Sequence, residues 1–207
     1  MTKKSALALL VSAVFVAESA AAESVAAAPA CATPAQISAV GAALAGKEPG
    51  PLYGVASSLK LPEAVVASAL PAAEAHGVAS SHFAQIWKSL ETWDDAMALV
   101  TKGANIIEIR GRVGIGEPSK RSKFFNISRE GGGLTGHLRP DLYSSIYAVS
   151  RPGKEGALRG VTFYDQAGDA VFSVFVPGEG ETPPEAVVKQ FEATWALIRS
   201  LPSLCPR

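Results

Sequence analysis

Three histidines, His76, His82 and His137, are the side chains in this 207-residue sequence best suited to hold a metal or carry a proton near neutral pH. They are scattered, and no two stand at the spacing of a zinc site. His137 differs from the others in its setting. It closes the run Gly131-Gly132-Gly133-Leu134-Thr135-Gly136-His137-Leu138-Arg139, amid strand-like sequence. Glycine permits turn conformations that other residues resist and lets backbone or a flat ligand come close. His137 therefore reads as an imidazole with room in front of it, against the commoner alternative of a hydrogen-bonded or surface histidine.

Other chemistry is sparse. The sequence has no Gly-x-Ser-x-Gly elbow, no phosphate loop ending in Gly-Lys-Ser/Thr and no His-Glu-x-x-His. Gly111, Gly114 and Gly116 follow a strand-like segment, but no helix comes after them, so they fit a turn better than a dinucleotide loop. Glu108 lies on a predicted strand, where a carboxylate serves acid-base work if buried and solubility if solvated. Arg110, Arg112, Lys120, Arg121, Lys123, Arg129 and Arg139 form a strip denser in cations than the rest of the chain. Most of such a strip is solvated, yet a ligand bearing carboxylates needs a few of these groups.

Nineteen basic and nineteen acidic side chains cancel, which removes any overall field that would draw the chain to nucleic acid or an anionic membrane. An apolar fraction of 48% over this length suits one main domain with a full core. Lys3 and Lys4 precede an apolar run from Ala6 to Ala17 and small residues up to Ala22. That is the layout of a secretory signal peptide over residues 1–22, too short for a stable membrane span, and it predicts a periplasmic or otherwise exported protein. The alternative is an extension on a cytoplasmic protein. Residues 23–34, rich in alanine with Pro29 and Pro34, predict a flexible lead-in, leaving 35–207 as a single domain. Cys31 and Cys205 would join the two ends in an oxidising compartment and stay free thiols otherwise. Cys31 lacks the context of a lipidation site.

The elements that must position His137 follow from periodicity. Apolar spacing predicts three short helices between Ala35 and Leu70, with Pro62 in a first turn and Pro71 closing the last. The pair around Leu59-Lys60-Leu61 has the outline of a helix-turn-helix, but Glu63, Ala64, Ala67 and Ser68 stand where a reader of bases carries long polar side chains. Phe83, Ile86, Trp87, Leu90 and Trp93 predict a fourth helix capped by Ser80 or Ser81. Strands are predicted at Ala96–Val100, Asn105–Arg110, Lys123–Ile127, Leu134–Leu138, Ser145–Val149, Leu158–Asp165 and Ala170–Val176. The last two are joined by a Gln166-Ala167-Gly168-Asp169 hairpin turn. A final helix spans Glu185 to about Ser200, with Val188, Phe191, Trp195 and Ile198 facing the sheet. Helices, then antiparallel strands, then a helix make an α+β fold.

From about Glu48 onward the sequence resembles the ChuX/HutX family of haem-utilisation carriers. The likeness is carried by Leu52-Tyr53-Gly54-Val55-Ala56, Val65-Val66-Ala67-Ser68-Ala69-Leu70-Pro71, Phe83-Ala84-Gln85-Ile86-Trp87 and Glu91-Thr92-Trp93. It continues in Ile106-Ile107-Glu108-Ile109-Arg110-Gly111, Phe124-Phe125-Asn126-Ile127, Leu134-Thr135-Gly136-His137-Leu138, Ser145-Ile146-Tyr147-Ala148-Val149, Arg151-Pro152 and Val161-Thr162-Phe163-Tyr164. The resemblance implies a mainly antiparallel, split-barrel-like sheet of the haem iron utilisation kind flanked by helices, a homodimer, and haem as the carried ligand. It also implies a haem donor or acceptor protein as partner and carriage rather than catalysis. His137 falls on the family's haem-associated histidine and becomes the expected axial ligand, the one contact to the haem iron. Arg110, Lys123 and Arg139 are the expected propionate contacts, and Ile107, Phe124, Phe125 and Leu134 the expected apolar walls, since haem needs an apolar slot, an axial donor and cations. Thr101 and Phe124 replace a histidine and a tyrosine found in relatives, and Pro177-Gly178-Glu179-Gly180-Glu181 replaces a Gly-Arg-Asp segment. The alternatives are a different flat or hydrophobic ligand on the same fold and, less favoured, haem degradation.

Overall fold

The computed structural model of the chain describes residues 31–206 except 49, 104, 129, 131, 132, 154, 155 and 179–181. The predicted leader, residues 23–30 of the lead-in, Arg129, Gly131, Gly132 and the segment Glu179-Gly180-Glu181 lie outside the described residues.

Three short helices open the domain: α1 (Pro34–Leu44), α2 (Tyr53–Leu59) and α3 (Glu63–Ala69). Thr33 and Gln36 form a reciprocal capping box on α1. Pro62 stands one residue before α3, at its N-cap. The chain then forms β1 (Ala75–Ala79), a 3-10 turn (Ser80–His82), α4 (Phe83–Leu90), β2 (Ala96–Lys102) and β3 (Asn105–Gly111). The short strands β4 (Gly116–Pro118), β5 (Phe125–Ile127) and β6 (Gly136–Leu138) follow. The domain ends with β7 (Tyr143–Arg151), β8 (Leu158–Asp165), β9 (Ala170–Phe175) and α5 (Glu185–Ser200). Six strands form an antiparallel sheet in the order β1-β7-β8-β9-β2-β3, and β4-β5-β6 form a separate small sheet. The expected α+β, mainly antiparallel architecture is present.

Both faces of the large sheet are covered along its central strands. Along β7, Ile146 and Ala148 face a core shared with α4, α5 and the small sheet, while Tyr147 and Val149 face a second core under α1–α3. That alternation makes the central strands read as continuous apolar runs. Phe83, Trp87, Phe125, Phe163 and Phe172 pack ring against ring in the first core. Trp87 Nε1 donates to Gly114 O at 3.2 Å, and a Cβ on Gly116 would collide with the Phe125 and Trp87 rings. Glycine at 116 thus lets the small sheet seat directly on α4.

Several local expectations shift. Neither serine caps α4: Ser80 Oγ donates instead to Tyr143 O at 2.8 Å, and the 3-10 turn leads into the helix. Because α4 ends at Leu90, Trp93 lies beyond it, still buried, with Nε1 bonded to Thr194 Oγ1 at 3.0 Å. The buried stripe of α5 is Val187, Phe191, Thr194 and Ile198, with Val188 and Trp195 at its margin. Strands β1 and β4 were not anticipated. The Ala-His-Gly-Val-Ala sequence of β1 has little strand propensity, and pairing along β7 supplies what propensity does not.

The two cysteines form a disulfide across a sequence separation of 174 residues. Around it, Ala32 N–H donates to Ser68 Oγ at 2.8 Å and Leu204 N–H to Gly77 O at 2.8 Å, so the segments carrying the two cysteines are tied to the α3–β1 corner. Residues 31–33, assigned from sequence to a flexible lead-in, are held there.

Glu63 opens α3 against the β8–β9 turn, where Ala64 N–H donates to Gly168 O at 2.9 Å. Burial, and then the Asp169 carboxylate, push the Glu63 carboxyl up to about 7. The folded state therefore keeps a proton that the unfolded chain releases, and stability falls as pH rises from about 4.5 to 7. Glu63→Gln is expected to raise the melting temperature by a few degrees at pH 8, on the order of 1–3 kcal/mol, and to leave it unchanged near pH 4. Thermal denaturation at the two pH values checks this; equal shifts at both would assign the effect to packing instead.

Candidate functional site

The small sheet places His137. In its register Glu117 lies opposite Asn126 and Asn126 opposite His137, so the three side chains form one row across β4, β5 and β6. Strand alternation sends the flanking residues the other way: Phe125 and Ile127 are 5% and 6% exposed and belong to the core beneath. His137 lies on the solvent side. The turn before it needs glycine at two points. Gly133 has φ +76° with the Arg112 backbone where a side chain would go, and Gly136 has φ +150° with open space beside it.

Asn126 Oδ1 lies 2.8 Å from His137 Nδ1, a pairing that needs the proton on Nδ1 and, in the neutral ring, leaves the lone pair on Nε2. Phe124, 41% exposed, sets its ring 5.9 Å from the imidazole at a steep angle, and the Arg139 guanidinium lies 5.7 Å from that ring's centre. Arg139 donates from Nε and Nη2 to Asp141 at 2.7 and 2.9 Å, and Lys123 Nζ stands 3.9 Å from the same carboxylate. The hydrogen bond from Arg139 holds the Asp141 carboxyl below its ordinary value. One outward face thus offers an imidazole, an aromatic ring and two cations.

Of the expected site residues, His137, Phe124, Lys123 and Arg139 come together. Phe125 does not join them. Its ring packs against Phe83 and Trp87 in the core, because of the two adjacent phenylalanines only Phe124 has the outward parity of Asn126. Leu134 is half-buried against the core and bridges to Val113. Ile107 and Arg110 lie on β3, the far edge of the other sheet, where Ile107 is 52% exposed and Arg110 pairs with Asp95 at 2.9 Å. Glu108 is exposed on the same strand. Sequence reasoning missed Asn126 and Asp141; their signal was positional, Asn126 being the polar member between two buried residues of β5.

Among the described residues no three His, Cys, Asp or Glu side chains gather to hold a bare metal ion. A single imidazole with a free Nε2, beside an aromatic face and cations, fits an iron that already has its equatorial donors, as in haem, for which the protein supplies an axial ligand and contacts for the carboxylates. A second concavity, of about 970 Å³, lies on the large sheet and is lined by Met97, Leu99, Ile106, Arg159, Phe175 and Val188 among others. No helix among the described residues is long and apolar enough to cross a membrane.

The intracellular haem transport protein HutX of Vibrio cholerae is 27% identical over 139 residues, spanning 65% of this chain and 70% of that protein. The crystal structure of a protein from Erwinia carotovora superposes with a TM-score of 0.67 at 24% identity, covering 77% of this chain and 98% of that one. The structure of the haem-binding protein ChuX gives 0.66 at 20% identity, covering 77% and 99%. ChuS, described as an Escherichia coli haem oxygenase, gives 0.61 at 18% identity, and the match spans 79% of this chain and half of ChuS. These structural likenesses establish the shared fold. The haem utilisation ChuX/HutX profile matches residues 77–194, more than half of the sequence and all of the small sheet, so the chain belongs to the ChuX/HutX haem utilisation family.

Proposed function

We propose that this protein is a haem carrier that binds haem through His137 on the outward face of the small sheet and takes part in iron acquisition without degrading its cargo. The observation that carries the proposal is the His137–Asn126 pair, which leaves Nε2 as a free donor beside Phe124. When bound, haem supplies the iron that Nε2 ligates. The chain's own residues do the rest: Phe124 offers a ring edge or face to the macrocycle, and Arg139 and Lys123 meet the propionates. Arg139 and Lys123 are shared with Asp141, so the propionates exchange with a carboxylate already in place. An open site with a competing internal carboxylate suits a carrier that must hand haem from a donor to an acceptor protein. The Escherichia coli haem oxygenase is a longer chain, only half of which matches, and the face around His137 carries no further imidazole to assist oxygen chemistry.

The ligand reading has one competitor supported by a specific feature. The 970 Å³ concavity on the large sheet would take a different flat or hydrophobic molecule without using His137. Haemin titration followed by absorption spectroscopy separates the two. Leu99→Trp, which places a bulky ring in the wall of that concavity, is expected to leave a saturable histidine-type haem spectrum intact. Loss of the spectrum in Leu99→Trp would move the site to the large sheet, and failure of the wild-type protein to bind haemin would favour the other ligand.

Two further properties belong to the proposal. The protein forms a homodimer through β3, whose outer edge lies at the end of the sheet with Ile106 and Ile107 about half exposed, an arrangement a second strand would cover. Sedimentation should give a dimer that Ile107→Lys converts to monomer; a monomeric wild type would contradict this. The protein works in an oxidising, exported setting. The Cys31–Cys205 bridge supports this placement, whereas the intracellular description of the Vibrio relative supports the cytoplasmic alternative.

A further inference from the structure

We infer that Asn126 is the positioning residue of the haem site, setting the tautomer and ring orientation of His137 so that Nε2, and not Nδ1, is presented to the iron. The inference rests on the haem-carrier reading for its consequence, but its structural core does not depend on haem.

An exposed imidazole on a three-residue strand has two ways to choose the wrong partner. It rotates about its side-chain bonds, and in water its neutral form places the proton preferentially on Nε2, which would leave Nδ1, crowded by the backbone, as the only lone pair. Both freedoms are removed by one contact. Asn126 lies directly across the ladder from His137, on the same face, and its Oδ1 stands 2.8 Å from Nδ1. An amide oxygen only accepts, so the bond requires the proton at Nδ1, and in the neutral ring it leaves the lone pair at Nε2, on the far side of the ring from Asn126. Ligating histidines characteristically donate their second nitrogen in this way, and loss of the acceptor costs roughly 10–100-fold in affinity.

The anchor is itself fixed from below. Phe125 and Ile127, the neighbours of Asn126 on β5, are nearly fully buried, and β5 is the central strand of the small sheet, hydrogen-bonded to β4 and β6. The backbone of Asn126 therefore cannot shift away from His137 without disturbing the core. The Phe124 ring stands 5.9 Å from the imidazole in an edge-on arrangement, a second contact for its orientation. An acceptor placed by a buried strand, a histidine opposite it and a ring beside it together hold one orientation before any ligand arrives. Preorganisation of this kind lowers the cost of binding at a site too exposed to bury its cargo deeply. Asn is also distinguished from Asp here. A neutral acceptor leaves the imidazole a moderate donor, which suits release, whereas a carboxylate would draw the Nδ1 proton and strengthen the bond to iron.

The test uses the full chain without haem first. At a pH where His137 is neutral, long-range nitrogen–proton correlation NMR should show the Nδ1-protonated tautomer in the wild type and in Asn126→Asp, and the Nε2-protonated tautomer in Asn126→Leu. The haemin complexes are then compared. Asn126→Leu should weaken haemin binding roughly 10–100-fold. Asn126→Asp should keep binding but lower the iron reduction potential and raise the iron–histidine stretching frequency in resonance Raman. An Nε2-protonated wild type, or tautomer, potential and frequency that do not respond to either Asn126 variant, would overturn the positioning role while leaving haem carriage intact if His137→Ala still loses the complex. A wild-type haem spectrum in His137→Ala would instead remove His137 as the iron ligand, and with it the consequence for haem, even with the tautomer as inferred, whereas failure of the wild-type chain to bind haemin would remove the haem-carrier reading itself.

Discussion

Replacing His137 with alanine removes the histidine-type spectrum of the haemin complex and weakens binding by more than the roughly 10–100-fold that follows when a ligating histidine merely loses its hydrogen-bond partner. The site has no second imidazole to take over, since His82 precedes α4 and His76 lies on β1, turned toward Leu201 O at 3.4 Å. The fold should be untouched. His137 is exposed, and its one described side-chain hydrogen bond is to Asn126 at the surface, so the change in stability should stay within about 0.5 kcal/mol. Equal circular dichroism and melting temperature, with the visible spectrum lost, is the expected pattern. A variant that unfolds would mean that the small sheet depends on His137 for its register, which the burial of Phe125 and Ile127 argues against.

The second large effect is on stability. Changing Cys31 and Cys205 together to serine opens a loop that spans nearly the whole domain. For a separation of 174 residues, restricting the unfolded chain is worth about 5 kcal/mol on the chain-entropy view, and measured losses of native bridges run at about 2–5 kcal/mol. A fall in melting temperature of about 10 °C follows for a domain of this size. The native state should otherwise persist, because Tyr147, which directs its hydroxyl at Cys205 Sγ from 3.5 Å, is anchored in the core by Tyr164 and is not held by the bridge. Denaturant unfolding with and without reductant measures the effect on the unaltered chain. Coincident curves would show that the bridge contributes nothing and would remove the structural support for an oxidising compartment. Because the bridge joins segments tied to α3 and β1 while His137 lies on the small sheet, haem binding should survive reduction, so the two predictions are independent.

How far the site could be read from sequence depends on which contacts decide it. The glycine run flags His137 because backbone geometry there, at Gly133 and Gly136, excludes other residues, and such constraints are written directly into residue type. The pair Phe124-Phe125 is different. Two adjacent apolar residues on a strand give no sign of which one faces outward, and the answer comes from the ladder that sets Asn126 against His137. Strand β3 misleads for a related reason: Ile106, Ile107 and Ile109 have the look of a buried strand, yet β3 is the edge of its sheet and all three are exposed. The helices were legible where a periodic stripe is long, as in α5, although the adjacent Val187 and Val188 left its facing angle open by one residue. Strands β1 and β4 were hidden because their residues have little intrinsic strand preference and are recruited by longer partners or by contact with Trp87. Sequence thus carried the architecture and flagged the proposed ligand, and pairing across strands determined the company that histidine keeps.

The central claim, that iron is held by Nε2 of His137, is tested most directly by resonance Raman spectroscopy of the ferrous haem complex prepared with nitrogen-15 histidine. The account predicts an iron–histidine stretching band that shifts on isotopic substitution and is absent from His137→Ala. A complex with no such band, or a band that survives unchanged in His137→Ala, would contradict it.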